Sequence, residues 1–268
     1  MPKVVSMKSI RLLALLLQRP GEFVDRVTAV VDVRRDMSCT EYASHRPVEA
    51  EEGIQSLASS LGCDFAALLR EAALHEIEDE IQERLSKMCA GAPFQSFHDG
   101  DALLARICYG VARALQPRVI VETGVCYGVT SAYLLQALAM NGAGELHSID
   151  LPPLAKDADS FVGWFIPQQL RSRWTLHRGA SRRVLPEIVA CTGGLDLFVH
   201  DSLHTYRNMR REFEVAWPAL QPGGVLIADD VEGNQAFEQF AESARPALSV
   251  VLAERSKNSL FGLMVKRR

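Results

Sequence analysis

The chain has 268 residues, of which 48% are hydrophobic and 23% charged, and its formal net charge at pH 7 is −4. This composition is typical of a globular protein with one good core, and it argues against nucleic acid as the main partner because Lys and Arg are not in excess. No stretch approaches the roughly 20 apolar residues of a membrane span. The six cysteines form no C-x-x-C pair and no metal-finger spacing, so we expect reduced thiols in a cytoplasmic protein.

Residues 1–95 are predicted to form a helical accessory region. The segment 42–53 contains Pro47 and Gly53 and is typical of a linker. Asp64 is placed to cap a long helix, whose apolar stripe has a spacing of three and four residues and consists of Leu74, Ile77, Ile81, Leu85 and Met88. We expect this region to cover a substrate or to form the contact of a homo-oligomer.

From residue 96 onward, helices and strands alternate. Asp99 or Asp101 is placed to cap a helix that Pro117 ends, and a first strand begins at Val119. Six further strands follow in the order ELHSID, WTLHRGAS, LDLFVHD, VLIADD, LSVVLAERS and LFGLMVKRR. The repeated βα units predict an α/β domain over 96–268, with a doubly wound and mostly parallel seven-stranded sheet that has one antiparallel strand near its edge.

The turn after the first strand has the spacing E-x-G-x-x-x-G within VIVETGVCYGVT, residues 119–130. Gly124 and Gly128 allow a tight turn and a close approach of a ligand to the backbone amides. The spacing differs from G-x-G-x-x-G and lacks the Gly-Lys-Ser/Thr of a phosphate loop. A neutral turn beside Glu122 favours a nucleoside with a cationic amino-acid tail over a pyrophosphate, although it also fits an ordinary βα turn.

Ligands of open α/β sheets bind beyond the carboxyl ends of the strands, so polar side chains at those ends are candidate site residues. Asp150 ends the second strand, where an acid accepts hydrogen bonds from a ribose diol, although a helix cap is the alternative. Gly179 lies at the end of the third strand, and the hydroxyl group of Ser181 is placed to reach an adenine edge. These positions support a nucleoside site.

Three further acids, Asp201, Asp229 and Asp230, end the fourth and fifth strands. Neighbouring parallel strands lie roughly 4.8 Å apart, so these carboxylates are predicted to share a divalent cation such as Mg²⁺. The ion would acidify a bound hydroxyl group, and His204 would accept its proton. The alternative is that each acid caps a helix or stabilises a turn.

The segments VIVETGVCYGVTS, SID, RGAS, DLFVHDSLHTY and ALQPGGVLIADDV resemble, in order and spacing, the class I S-adenosylmethionine-dependent methyltransferases. The resemblance covers about residues 100–268, and it is to the metal-dependent O-methyltransferases that include catechol and macrolide-sugar enzymes. It implies a Rossmann-like fold with Asp150 on the ribose, Ser181 on the adenine and magnesium on the three aspartates. It also implies that the methionine end of the cofactor is lined by Glu122, Gly124 and Tyr127.

Two features refine this resemblance. The fifth strand ends in Asp-Asp, and Asp201 and His204 form D-x-x-H; both are similar to the sugar-modifying subset. Ala180 stands where many methyltransferases have an acid. The expected function is magnesium-dependent O-methylation of a sugar or another polyhydroxylated small molecule. The alternatives are a metal-independent methyltransferase, a non-catalytic protein that binds the cofactor, and the cephalosporin-hydroxylase-like proteins, which share this layout.

Overall fold

The structure is a computed structural model that describes residues 15–39, 42–88, 94, 103–254 and 259–268. Among the described residues, the helices with complete bounds before the sheet are α1 (Pro20–Cys39), α2 (Ala50–Leu61), α3 (Phe65–Leu68), α4 (Ala72–Ser86) and α5 (Leu103–Leu115). The predicted caps Asp99 and Asp101 and the predicted boundary at residue 95 lie outside the described residues. In the described part of the chain, no helix is long and apolar enough to cross a membrane.

The long helix predicted after Asp64 is divided into two. Asp64 caps only α3, where its Oδ1 accepts a hydrogen bond from the Ala67 amide at 2.9 Å. Glu71 then has an extended backbone (φ −60°, ψ 138°), and its carboxylate accepts hydrogen bonds from Arg113 of α5 at 2.7 and 2.8 Å. This contact between distant residues separates α3 from α4. The predicted linker is also shorter than expected, because α2 already begins at Ala50.

The sheet has seven strands, as predicted. They are β1 (Val119–Thr123), β2 (Glu145–Asp150), β3 (Trp174–Arg178), β4 (Leu195–His200), β5 (Leu220–Ala228), β6 (Leu248–Glu254) and β7 (Ser259–Val265). Their order in the sheet is β3-β2-β1-β4-β5-β7-β6, and only β7 runs antiparallel to its neighbours. The structure therefore confirms the mostly parallel, doubly wound sheet with one antiparallel strand near the edge.

The helices that connect the strands are α6 (Val129–Asn141), α7 (Ala158–Phe161), α8 (Ser181–Thr192), α9 (Tyr206–Ala219) and α10 (Ala236–Ala244). The segment VGWFIPQQLRSRW, residues 162–174, is predicted to be helical from the sequence, but only a 3₁₀ helix (Gln168–Arg173) forms there, and α7 lies in the preceding predicted loop. Successive residues of β1 point to opposite faces of the sheet. Ile120 accordingly packs in the core that contains α4 and α6, and Val121 packs in the core that contains α8 and α9.

The first of these cores also contains Leu57 of α2, Phe65 of α3 and Leu74 of α4. Much of the helical region before the sheet is therefore built on the same apolar core as the sheet itself. No described residue of α1 belongs to either core. The proposed division of the chain near residue 95 stays a prediction.

Candidate active site

The turn between β1 and α6 packs directly against the chain that follows β4. Gly124 has a φ of +84°, and a Cβ atom at this position would clash with the carbonyl oxygen of Asp201. Its amide donates a hydrogen bond to the Ile149 carbonyl at 2.8 Å. Glycine is required here for both the positive φ and the close approach. The ends of β1, β2 and β4 are thereby held at one edge of the sheet.

Asp150 organises this turn. Its Oδ2 accepts hydrogen bonds from the amides of Val125 and Cys126, both at 2.8 Å. Burial raises the pKa of Asp150, although these two hydrogen bonds act in the opposite direction. The alternative prediction of a helix cap is not met, because the amides that Asp150 binds belong to the turn and precede α6. The ribose contact stays a prediction.

Glu122, Tyr127 and Gly128 lie behind the turn. The Oε2 atom of Glu122 accepts hydrogen bonds from Ser131 at 2.6 Å and Ser148 at 2.8 Å, and burial raises the pKa of Glu122 to about 8. The Tyr127 hydroxyl contacts the backbone of Phe94 at 3.1 Å. Through these contacts Glu122 and Tyr127 support the turn, and their expected contact with a cofactor stays a prediction. Gly128 precedes α6, and a Cβ atom there would lie 2.8 Å from Gly163 Cα.

A cavity of about 1570 Å³ opens beyond the carboxyl ends of the strands, between the turn and α1. This volume exceeds the roughly 300–1,000 Å³ of a typical pocket for one ligand, so a nucleoside and a second molecule fit together. The remaining predicted site residues all line it: Gly124, Asp150, Gly179, Ser181, Asp201, His204, Asp229 and Asp230.

His204 stands between two carboxylates in this cavity. Its Nε2 lies 3.6 Å from Asp201 Oδ1, and its Nδ1 lies 3.4 Å from Asp230 Oδ2. Burial on its own would lower the pKa of His204. The hydrogen bond and the charge of Asp201 act in the opposite direction, as do the charges of Asp230 and Asp229, and together they raise the pKa to about 9. In this arrangement the imidazolium form is favoured at neutral pH.

As they are arranged, the predicted magnesium ligands all lie near His204 and do not form a cation site. Among the described residues, no group of three or more His, Cys, Asp or Glu side chains is placed to hold a metal ion. The ring of His204 lies between Asp201 and Asp230, where the predicted ion would have to lie. The sequence placed these acids correctly at one edge of the sheet, but it did not reveal that an imidazole separates them.

A buried ionic network lies below His204, and the sequence analysis did not identify it. Glu212 Oε2 is 2.7 Å from His200 Nδ1, and Oε1 accepts hydrogen bonds from Ser202 and Asn208, both at 2.8 Å. Burial would raise the pKa of Glu212, but the charge of His200 and the hydrogen bonds lower it to about 2. The rings of His200 and His204 are 5.3 Å apart. The network therefore holds the loop that carries His204.

The sequence does contain a signal for Glu212. This residue follows Met209 by three positions and precedes Phe213 directly, so it lies beside the apolar face of α9. Both neighbours are fully buried. An acid beside the apolar face of an amphipathic helix needs a buried partner, and His200 provides it.

Helix α1 covers the cavity and is fixed by ion pairs. Its buried acids Glu22, Asp25 and Asp32 contact arginines of the domain that follows. These contacts are Glu22 to Arg178, Asp25 to Arg182 at 2.9 Å, Asp25 to Arg183 at 3.3 Å, and Asp32 to Arg211 at 3.6 Å. The side of the cavity opposite the sheet is thus built from the segment whose role the sequence left open.

Comparison with known proteins agrees with this geometry. A family model described as a methyltransferase domain matches residues 121–231. The fold is similar to that of an O-methyltransferase from Bacillus cereus in complex with SAH (15% identity; 80% of this chain and 97% of that chain; TM-score 0.53). It is also similar to cofactor-bound Rv0187 from MTB (13% identity; 84% and 100%; TM-score 0.54). No curated protein matches the sequence.

A third similar structure is the O-methyltransferase TomG from Streptomyces achromogenes, involved in tomaymycin synthesis, in complex with SAM. It shares 17% identity, the alignment covers 74% of this chain and 91% of that chain, and the TM-score is 0.50. At these identities the structures show a shared fold, and the family match adds the methyltransferase domain. The resemblance seen in the sequence is thereby supported: residues 121–231 match a methyltransferase domain, and the fold of this chain is that of the class I O-methyltransferases.

Proposed function

We propose that this chain transfers the methyl group of S-adenosylmethionine to a hydroxyl oxygen of a small acceptor, a sugar or another polyhydroxylated molecule. The observation that carries the proposal is that His204 and its two carboxylates line the same cavity as Gly124 and Asp150. One end of the cavity therefore suits a nucleoside, and the other offers a base to a second molecule. In this proposal Asp150 and Ser181 contact the nucleoside, as their positions at the strand ends suggest.

The chain's own residues supply positioning and a base. When bound, S-adenosylmethionine supplies a methyl group whose bond to sulfur breaks as the acceptor oxygen bonds to the carbon, and S-adenosylhomocysteine is left. His204 takes the proton of the acceptor hydroxyl group on Nε2, in place of its 3.6 Å contact with Asp201, because Nδ1 is buried beside Asp230. Asp201 and Asp230 stabilise the imidazolium ion that results. The cavity would position both molecules side by side and exclude part of the water around them.

The base works only when His204 is neutral. Because the pKa of His204 is raised to about 9, the methylation rate is expected to rise as the pH increases from 7 to 9. The positive charge of a bound sulfonium ion in the same cavity counteracts the effect of the two carboxylates and lowers the pKa of His204. The methylation rate then rises at a lower pH. A variant that lacks the imidazole should lose this pH dependence.

The proposed reaction contains no step through a metal, because the predicted ligands Asp201, Asp229 and Asp230 do not form a cation site as arranged. The sequence prediction of a magnesium requirement is therefore a separate question for experiment. Magnesium would need His204 to leave the space between Asp201 and Asp230. In that case the base assigned here would also change.

The test is methyl transfer from methyl-labelled S-adenosylmethionine to a panel of sugars, glycosides and other polyols, followed by mass spectrometry of the products. We expect a product that gains one methyl group on oxygen, and we expect its rate to persist after treatment with EDTA. Loss of activity in EDTA with recovery in Mg²⁺ would contradict the metal-free step. Tight binding of S-adenosylhomocysteine with no transfer to any hydroxyl group would support the non-catalytic alternative.

A further inference from the structure

Part of the cavity wall is apolar and comes from outside the sheet, beside charged residues of α1 such as Asp25, Arg26 and Asp32. Three valines of α1 form part of it, namely Val27, Val30 and Val31. The loop after β2, residues 151–155 with the sequence LPPLA, also lines the cavity, as does Leu203. The apolar wall is thus continuous with the part of the cavity that contains His204.

Helix α1 and the loop are fixed to each other. The guanidinium group of Arg26 donates a hydrogen bond to the carbonyl oxygen of Pro152 at 2.7 Å. Arg26 also forms an ion pair with Glu22 at 2.7 Å, and Glu22 in turn contacts Arg178 at the end of β3. The wall is therefore held in a defined position relative to the strand ends.

The valines of this wall are exposed although they line a cavity. Val30 is 52% exposed and Val31 is 38% exposed, and within the described residues neither belongs to an apolar core. Exposed apolar side chains that are contiguous along a cleft are typical of a ligand-binding surface. A bare sugar would leave this surface in water, because its hydroxyl groups gain nothing from contact with valine and proline.

We propose that the acceptor carries an apolar body, an alkyl chain or a ring, next to the hydroxyl group that is methylated. The wall of α1 and residues 151–155 binds the apolar body, and His204 and Asp201 bind the hydroxyl group. This inference rests on the proposed O-methylation and narrows its substrate class from polyhydroxylated molecules to amphiphilic ones. The volume of about 1570 Å³ accommodates such an acceptor beside the nucleoside.

The test uses n-alkyl β-glucosides from methyl to hexyl as probes, below their micelle-forming concentrations. Their binding to the full-length protein saturated with S-adenosylhomocysteine is measured by calorimetry. Each methylene group that is fully buried should tighten binding by roughly fourfold. An affinity that does not change with chain length would overturn the proposal.

Helix α1 offers matched variants for this experiment. Val24 and Val33 are 50% and 38% exposed, close to Val30 and Val31, but they are not among the described residues that line the cavity. The double variant Val30→Ser/Val31→Ser should weaken hexyl glucoside binding by roughly tenfold and leave methyl glucoside binding unchanged. The double variant Val24→Ser/Val33→Ser should change neither.

Equal effects of the two double variants, or no effect of either, would overturn the assignment of the wall. Binding of S-adenosylhomocysteine is measured in all variants and should not change, because the nucleoside end of the cavity is untouched. If the wild-type protein failed to bind S-adenosylhomocysteine, the proposed function itself would fail. The two failures are therefore distinguishable.

Discussion

Helices α1 and α4 both pack on the part of the chain that contains the sheet, but they are attached by different forces. Helix α4 buries the apolar side chains of Leu74 and Ile77 in the core shared with the sheet. Helix α1 instead buries Glu22 and Asp25 against arginines and leaves several valines exposed. Apolar burial depends little on salt or pH, whereas ion pairs depend on both. The difference indicates that α4 is part of the stable core of the protein. The attachment of α1 over the cavity, in contrast, should weaken with added salt or with a change in pH.

The largest expected change in the free energy of unfolding comes from a substitution in α4. Leu74 is fully buried, so Leu74→Ala should lower the free energy of unfolding by about 3 kcal/mol through lost burial and a residual cavity. The matched change on α1, Val24→Ala, should alter it by less than about 0.5 kcal/mol because Val24 is exposed. Both values are measured by urea denaturation. Similar losses for the two variants would remove the distinction between the helices.

A smaller change in stability is expected when an ion pair of α1 is removed. Burial alone would raise the pKa of Glu22, but Arg178 and Arg26 lower it from 4.5 to about 2. Glu22→Gln should therefore lower the local opening free energy of α1 by about 1–2 kcal/mol at pH 7, as measured by hydrogen exchange. Because the folded pKa is the lower one, the stabilisation is complete above about pH 4.5 and is lost as the pH falls towards 2.

The control for Glu22 is Glu83 of α4, whose partner is Lys87. Both side chains of this pair are mostly exposed to solvent. Glu83→Gln should leave hydrogen exchange in α1 and α4 unchanged, because exposed ion pairs contribute little. An equal effect of the two substitutions would show that the position of Glu22 above the cavity has no special importance.

Much of the fold could be predicted because its signals are local. The apolar strands, the glycine turn and the acids at the strand ends can each be recognised in a contiguous segment of sequence. Because the carboxyl ends of parallel strands lie at one edge of the sheet, Asp150, Asp201 and Asp229 could be predicted to lie near one another. The break between α3 and α4 could not be predicted in this way, because Glu71 pairs with Arg113, 42 residues away. The predicted cytoplasmic location and homo-oligomer stay predictions.

The details of the site depended on the direction of single side chains. Alternation along β1 directs Glu122 to the α6 side, where Ser131 binds it, so an acid beside the turn does not face the cavity. His204 was correctly placed beside Asp201 by the D-x-x-H spacing, but its position between two carboxylates depends on Asp230 of another loop. The helical region before the sheet was expected to cover a substrate or to form an oligomer contact, but the ion pairs that place α1 over the cavity could not be predicted, because Glu22 and Arg178 are 156 residues apart.

The proposed methyl transfer depends most on His204, the group that takes the acceptor proton. The direct measurement compares wild type with His204→Gln for S-adenosylhomocysteine affinity and for the rate of methyl transfer, with the exposed His75→Gln as control. We expect His204→Gln to leave the affinity unchanged within about twofold and to reduce the rate by roughly 100-fold or more, while His75→Gln changes neither. A His204→Gln variant that transfers methyl groups at the wild-type rate would contradict the account.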